Sequence, residues 1–162
     1  MSVECSLRAV GERQAPELAA IHAGCFDDSW SPQSMLEVMA APGTFGFVAE
    51  IDGAPPIALA LARVAADEAE LLTIGVESGW RRGGVARRLL GAVMAEARSR
   101  GARRLFLEVA ENNLAARALY DRESFRIVGR RDGYYARLGG PPIDALTMRR
   151  ELVRSWSSWF SG

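Results

Sequence analysis

Three runs of sequence, LLTIGV (71–76), ESGWRRGGVARRLLGAVMAEARSRG (77–101) and ARRLFLEVAENNLAARALY (102–120), decide the fold. The first is short, apolar and rich in β-branched residues, and its length predicts a buried strand. In the second, Val85, Leu89, Val93 and Ala97 recur at every fourth position, with Leu90 and Met94 widening the stripe. That period predicts an amphipathic helix, and Gly101 supplies its stop. In the third, Arg104–Val109 is a strand apolar on both faces except at Glu108, which places it inside a sheet. Asn112 or Asn113 then caps a second helix reaching about Glu123.

Between the first strand and its helix lies Arg81-Arg82-Gly83-Gly84-Val85-Ala86. A helix N-terminus presents unpaired backbone N–H groups and about half a positive charge. Glycines keep side chains out of an anion's way, and Arg81, Arg82, Arg87 and Arg88 surround the turn with forked donors suited to phosphate. The turn is either a pyrophosphate site or an ordinary strand-to-helix turn with a basic face. It is not a Walker A loop, since no Gly-Lys-Ser/Thr follows, and the G-x-G-x-x-G spacing of dinucleotide sites is absent.

Working outward, Cys5–Val10 reads as an edge strand and Glu12–Ala23 as a helix with Pro16 near its start. Cys25–Pro32 is an acidic, aromatic loop, and Ser31-Pro32 starts a short helix to about Ala40. Thr44–Ile51, Ile57–Val64 and Ala69–Val76 form a meander of strands. After the central helices, Phe125–Arg130 and Ile143–Arg150 close the sheet around a Tyr134–Pro142 loop. The order β-α-α-β-β-β-α-β-α-β-β predicts an α/β fold with a mixed sheet and helices on both faces. Residues 1–150 are read as one domain. The tail 151–162 carries Trp156, Trp159 and Phe160, and either folds back or contacts a partner protein.

The chain has 162 residues and no net charge, but its charge is divided. Residues 1–77 hold twelve carboxylates and three arginines; residues 78–162 hold eight and seventeen. Such polarity suits an anionic ligand at one half and a cationic partner at the other. The arginines gather round one turn instead of lining an aromatic surface, so direct nucleic-acid binding is not expected. No apolar run is long enough to span a bilayer. The start MSVECSLRAVGE lacks a signal-peptide layout, giving an expectation of a cytoplasmic protein. Cys5 and Cys25 lack metal-type spacing, and His22 is the only histidine, so no metal is expected.

Glu108 is a carboxylate among Leu105, Phe106, Leu107 and Val109. Burial there would raise its pKa and make it a general base; the plainer alternative is an ion pair with one of the arginines. Tyr120 is either packed on Phe125 or a phenol that donates a proton. Asn113 is a cap, a ligand for a cofactor amide, or both.

These residues resemble the GNAT acetyltransferase family, whose signature Q/R-x-x-G-x-G/A is met by Arg81-x-x-Gly84-x-Ala86. Leu107-Glu108-Val109, Asn112-Asn113 and Ala118-Leu119-Tyr120 follow in the family's order. With Cys25-Phe26, Trp30-Ser31, Gly133-Tyr134-Tyr135 and Asp144–Met148, they resemble the ribosomal-protein alanine N-acetyltransferases (RimI-like) within it. The resemblance implies acetyl-CoA in a V-shaped split between strands 71–76 and 105–109. The backbone of Ile74, Gly75 and Val76 would hold the pantetheine arm, and the turn from Arg82 through Gly83, Gly84, Val85 and Ala86 to Arg87 the pyrophosphate. Glu108 would take a proton from the acceptor amine, through water, and Tyr120 would protonate the departing thiolate. Trp30, Tyr134 and Tyr135 would grip a protein N-terminus, with a ribosomal protein as the implied acceptor. A small-molecule amine and a non-catalytic acyl-CoA-binding role stand as alternatives. Gly83 replaces a larger polar residue, which implies a looser turn, and Ala86 adds a methyl near the pyrophosphate.

Overall fold

Seven strands form one mixed sheet in the order β1-β2-β3-β4-β5-β7-β6 in the computed structural model, which describes residues 2–152. The strands are β1 (Ser6–Val10), β2 (Thr44–Glu50), β3 (Ala58–Ala65), β4 (Glu68–Val76), β5 (Arg104–Ala110), β6 (Arg126–Tyr135) and β7 (Ile143–Glu151). The helices are α1 (Ala15–Cys25), α2 (Pro32–Ala40), α3 (Val85–Ser99) and α4 (Leu114–Arg122). This is the element order read from the sequence.

Alternation sorts the residues of the central strands. In β3, Leu59 and Leu61 join Leu18, Ile21, Met35 and Met39 of α1 and α2 on one face. Ala58, Ala60 and Ala62 face the other way, where their small side chains let the stripe Val85, Leu89, Val93 and Ala97 of α3 lie close. Each fully buried leucine of this kind contributes about 1.5–3 kcal/mol.

Local signals hold where the sequence placed them. Ser31 Oγ accepts from the Ser34 N–H at 3.1 Å and caps α2. Asn113 Oδ1 accepts from the Ala116 N–H at 3.2 Å and caps α4. Gly101 takes φ 94° after α3, and the Ala102 N–H reaches Ala97 O at 2.9 Å.

Some boundaries move, and α1, read as Glu12–Ala23, runs Ala15–Cys25 behind a 3-10 turn at Glu12–Gln14. Tyr134 and Tyr135, read as loop, are the last residues of β6, which runs on past Arg130 because it pairs with β7 as far as Tyr135–Ile143. At the other end of β7, Leu152 donates its N–H to Arg103 O at 2.8 Å and is buried in the core. Trp156, Trp159 and Phe160 lie outside the described residues.

Candidate active site

β4 and β5 run parallel and are paired only at Glu68–Arg104, Ala69–Leu105 and Glu70–Phe106. Beyond that point they part. A bulge opposite Leu61/Ala62 interrupts the β3–β4 register where the separation begins, and a bulge bends and twists its strand. The outer half of β4 is also held toward α1. Phe26 lies so close to Gly75 that a Cβ there would sit 2.7 Å from its ring. Arg81 donates from Nε to Val76 O at 2.9 Å and from Nη2 to Cys25 O at 3.2 Å, tying the end of β4 to the end of α1.

The free edge of β4 supplies donors and acceptors. The Glu77 N–H bonds Ile57 O at 2.9 Å, and Gly75 faces Leu59 in the same ladder. Period-two alternation therefore turns the backbone groups of Ile74 and the Val76 N–H into the gap, and those of Gly75 toward β3. Of the three residues expected to hold a pantetheine arm, Ile74 and Val76 have backbone groups turned into the gap, and Gly75 does not.

At the mouth of the gap, Arg82 has φ 65° and Gly84 φ 81°. Left-handed residues set among right-handed ones gather successive N–H groups into an anion-binding concavity, here continued by the unpaired N–H groups of Val85 and Ala86 at the start of α3. Gly83 is not a loose point. The Val3 N–H donates to Gly83 O at 2.9 Å, and a Cβ on Gly83 would meet the Val3 side chain at 2.2 Å.

The expected ring of arginines is not assembled. Arg81 serves two carbonyls, as above. Arg87 pairs with Glu123 at 2.7 Å. Arg88 donates to Cys5 O and to Cys5 Sγ. Arg82 is exposed and has no hydrogen-bond or ion-pair partner among the described residues. The concavity is thus lined by backbone donors, with one guanidinium unpaired among the described residues.

Glu108 is not the buried carboxylate that its apolar neighbours suggested. Leu105, Leu107 and Val109 enter the core on the α3 face, so alternation points Glu108 to the α1 face. Its side chain keeps 28% of its surface exposed and pairs with Arg131 Nε at 3.0 Å. Arg131 lies 5.1 Å from the centre of the Tyr134 ring, and Tyr134 packs edge-on against Tyr135 with ring centres 5.1 Å apart. Burial first, and then the nearby Glu108 charge, push the Tyr135 phenol above its usual pKa. Arg130 braces this end by pairing with Asp144 at 2.7 Å and Glu111 at 3.0 Å. The Gly133 N–H and then Arg130 hold the Asp144 carboxyl below its usual range.

Tyr120 lies on the other face, 5% exposed and edge-on to Phe125 at 5.6 Å. Burial pushes its phenol up to about 12. The packing role and a protonated hydroxyl coexist. Asn113 Oδ1 is engaged as a cap. Trp30 is on the Glu108 face and stacks on His22, with ring centres 4.8 Å apart. A cleft of about 440 Å³ at the end of α1 is lined by Phe26, Asp27, Ser78 and Arg81. Among the described residues no group of three His, Cys, Asp or Glu side chains could hold a metal ion, and no helix is long and apolar enough to cross a membrane.

The sequence reading did not single out His22, Thr73, Val3 or Arg131 for the site. The usable signals were a lone histidine just ahead of a Cys-Phe-x-x-x-Trp run, and a second arginine at period two from Gly129.

Residues 15–125 match the family model described as the acetyltransferase (GNAT) family. The chain belongs to the GNAT acetyltransferase family. It is 36% identical over 148 residues to the N-alpha-acetyltransferase RimI of Mycobacterium tuberculosis, spanning 89% of this chain and 88% of that one. The crystal structure of the ribosomal-protein-S18-alanine N-acetyltransferase from Escherichia coli superposes with a TM-score of 0.84 at 27% identity, covering 94% of this chain and 96% of that one. Arabidopsis thaliana NAA60 in complex with acetyl-CoA shares the fold, with a TM-score of 0.76 at 22% identity and coverage of 91% and 98%. This GNAT protein is an acetyltransferase with a mixed α/β sheet opened between β4 and β5.

Proposed function

We propose that this acetyltransferase moves an acetyl group from acetyl-CoA directly to the α-amine at a protein N-terminus, with an N-terminal alanine of a ribosomal protein as the favoured acceptor. The observation that carries the reading is the parting of β4 and β5 after Glu70–Phe106, with Glu108 on the α1 face of the sheet and Tyr120 in the core on the α3 face. The two relatives that act on α-amines by name support the choice of acceptor.

The residues fit the donor. Backbone groups of Ile74 and Val76 line the gap as an unpaired strand edge would, ready for an amide-bearing chain. The Arg82–Ala86 concavity with the free Arg82 suits a diphosphate. Acetyl-CoA, when bound there, supplies a thioester that an amine can attack.

On the α1 face, Glu108 accepts the proton of the incoming ammonium, which takes the place of Arg131 as its cationic partner. An α-amine has a pKa of about 7.7–8.0, against about 10.4 for lysine, so an N-terminus is already partly neutral near pH 7.5 and asks little of the base. On the α3 face, Tyr120 keeps its hydroxyl proton. A tyrosine held at about 12 is a stronger base, once ionised, than a thiolate of pKa about 8.5. Its role is therefore hydrogen-bond donation to the charge growing on sulfur. Tyr134 and Tyr135, beside Glu108, form the wall against which an acceptor backbone lies.

The test is direct competition among acceptors. Acetyl-CoA is offered a peptide beginning with Ala, the same peptide N-terminally blocked with an internal lysine, and a polyamine, with products read by mass spectrometry. Acetylation of the free α-amine is expected. Acetylation of the polyamine alone would replace this reading with a small-molecule acceptor.

A further inference from the structure

Among the described residues, His22 is the one polar side chain buried in the core, with 3% of its surface exposed. It belongs to α1, yet both ring nitrogens are spent outside that helix. The Trp30 backbone N–H donates to Nδ1 at 3.1 Å. A backbone N–H can only donate, so Nδ1 carries no proton, and the neutral ring holds its hydrogen on Nε2. Nε2 then donates to Thr73 Oγ1, 3.3 Å away. Phe26 and Trp30 pack against the ring, with centres at 4.5 and 4.8 Å.

The two bonded partners come from the two sides of the proposed reaction. Trp30 lies in the loop 26–31, on the face of Glu108. Thr73 lies on β4 just past its last pairing with β5, beside the backbone of Ile74 that lines the gap. We infer that His22 is a positioning residue that fastens the acceptor-side loop, through Trp30, to the donor-side lip of the split, through Thr73. This rests on the reading that the acceptor approaches from the Glu108 face.

The linkage works only with a neutral ring. Protonation would place a hydrogen on Nδ1, facing the Trp30 N–H, and that bond would become a clash of two donors. Burial holds the ring below the ordinary histidine pKa, partly opposed by Asp28. Asp28 is the charged group that bears on the ring. Phe26 and Trp30 from the loop and Thr73 from β4 carry no charge, and Cys25 on its own helix stays a thiol because burial raises it to about 11.

The experiment compares the full chain with His22→Leu and His22→Asn, using a peptide beginning with Ala as acceptor. His22→Leu is expected to raise the peptide KM about tenfold, the loss of one buried hydrogen bond, with the acetyl-CoA KM within about twofold. His22→Asn sets Oδ1 where Nδ1 stood and is expected to recover most of the loss. Between pH 7.5 and 5.5 the peptide KM of the unaltered chain should rise more than that of His22→Asn, since both share the acceptor's own titration. A peptide KM unchanged in His22→Leu overturns the assignment. So does an equal rise in both KM values in both variants, which would make His22 a support for the fold alone. If the unaltered chain acetylates only small amines, the acceptor reading of the previous section falls; the same comparison made with that amine then decides the role of His22.

Discussion

β5 has two neighbours and treats them differently. Against β7 it is paired without a break from Arg104–Glu151 to Ala110–Ala145. Against β4 it is paired at three positions and then abandoned. The closed side keeps its ladder in register over seven residue pairs. The open side leaves N–H and C=O groups of β4 unspent, which buried protein does not tolerate without a partner. The difference teaches that the gap is a ladder left unfinished, kept open because α1 holds the outer half of β4 through Phe26, His22 and Arg81.

The sharpest break of that comparison is backbone chemistry on adjacent residues. Gly75→Pro removes an N–H used toward β3 and presses on Phe26, so a loss of about 3 kcal/mol or more is expected in denaturant unfolding. Ile74→Pro removes an N–H aimed into the gap and leaves that ladder whole. It should fold with most of its stability and show an acetyl-CoA KM raised about tenfold. Equal damage from both prolines would mean that the alternation assigned to β4 is wrong.

Glu108→Gln keeps the shape of β5 and removes the acceptor of protons. Turnover at neutral pH is expected to fall about 10²-fold, with acetyl-CoA binding retained by calorimetry. Tyr120→Phe keeps the ring on Phe125 and deletes the hydroxyl. A fall of about tenfold in kcat is expected, with a melting temperature close to that of the unaltered chain. A large loss of stability with unchanged kcat would return Tyr120 to packing alone.

Two smaller effects concern the flanks. His22 is held below its ordinary value of 6.5, so the unfolded chain binds its proton more readily. Its contribution to stability is therefore complete above pH 6.5 and is lost as the pH falls toward the folded-state value. Urea midpoints measured from pH 7.5 to 5.5 should decline, and His22→Asn should flatten that decline. On the closed side, Arg104 meets Glu151 at 3.4 Å with both side chains largely exposed. Arg104→Gln should change stability by less than about 0.5 kcal/mol.

Much of the frame was legible in the chain because its signals are local. The stripe Val85–Ala97, the caps at Ser31 and Asn113 and the stop at Gly101 each act within a turn or two of helix. The Arg82–Ala86 turn was legible for the same reason, since a strand-to-helix turn is set by consecutive residues. The side chains around it were not. Four arginines look equivalent in a row, yet Cys25 O, Glu123 and Cys5 claim three of them from distant parts of the chain. Glu108 looked buried among leucines because a sequence does not show that the neighbouring strand leaves.

By itself, then, the order of residues determined the elements, their succession and the membership of the acetyltransferase family. Only the tertiary structure decided that β4 separates from β5, that Glu108 stands partly exposed beside Arg131, and that His22 joins Trp30 to Thr73. The reason is range. Propensity and periodicity act over a few neighbours, whereas the gap and its polar contacts depend on α1 meeting β4 some fifty residues further along the chain, as in the His22–Thr73 contact.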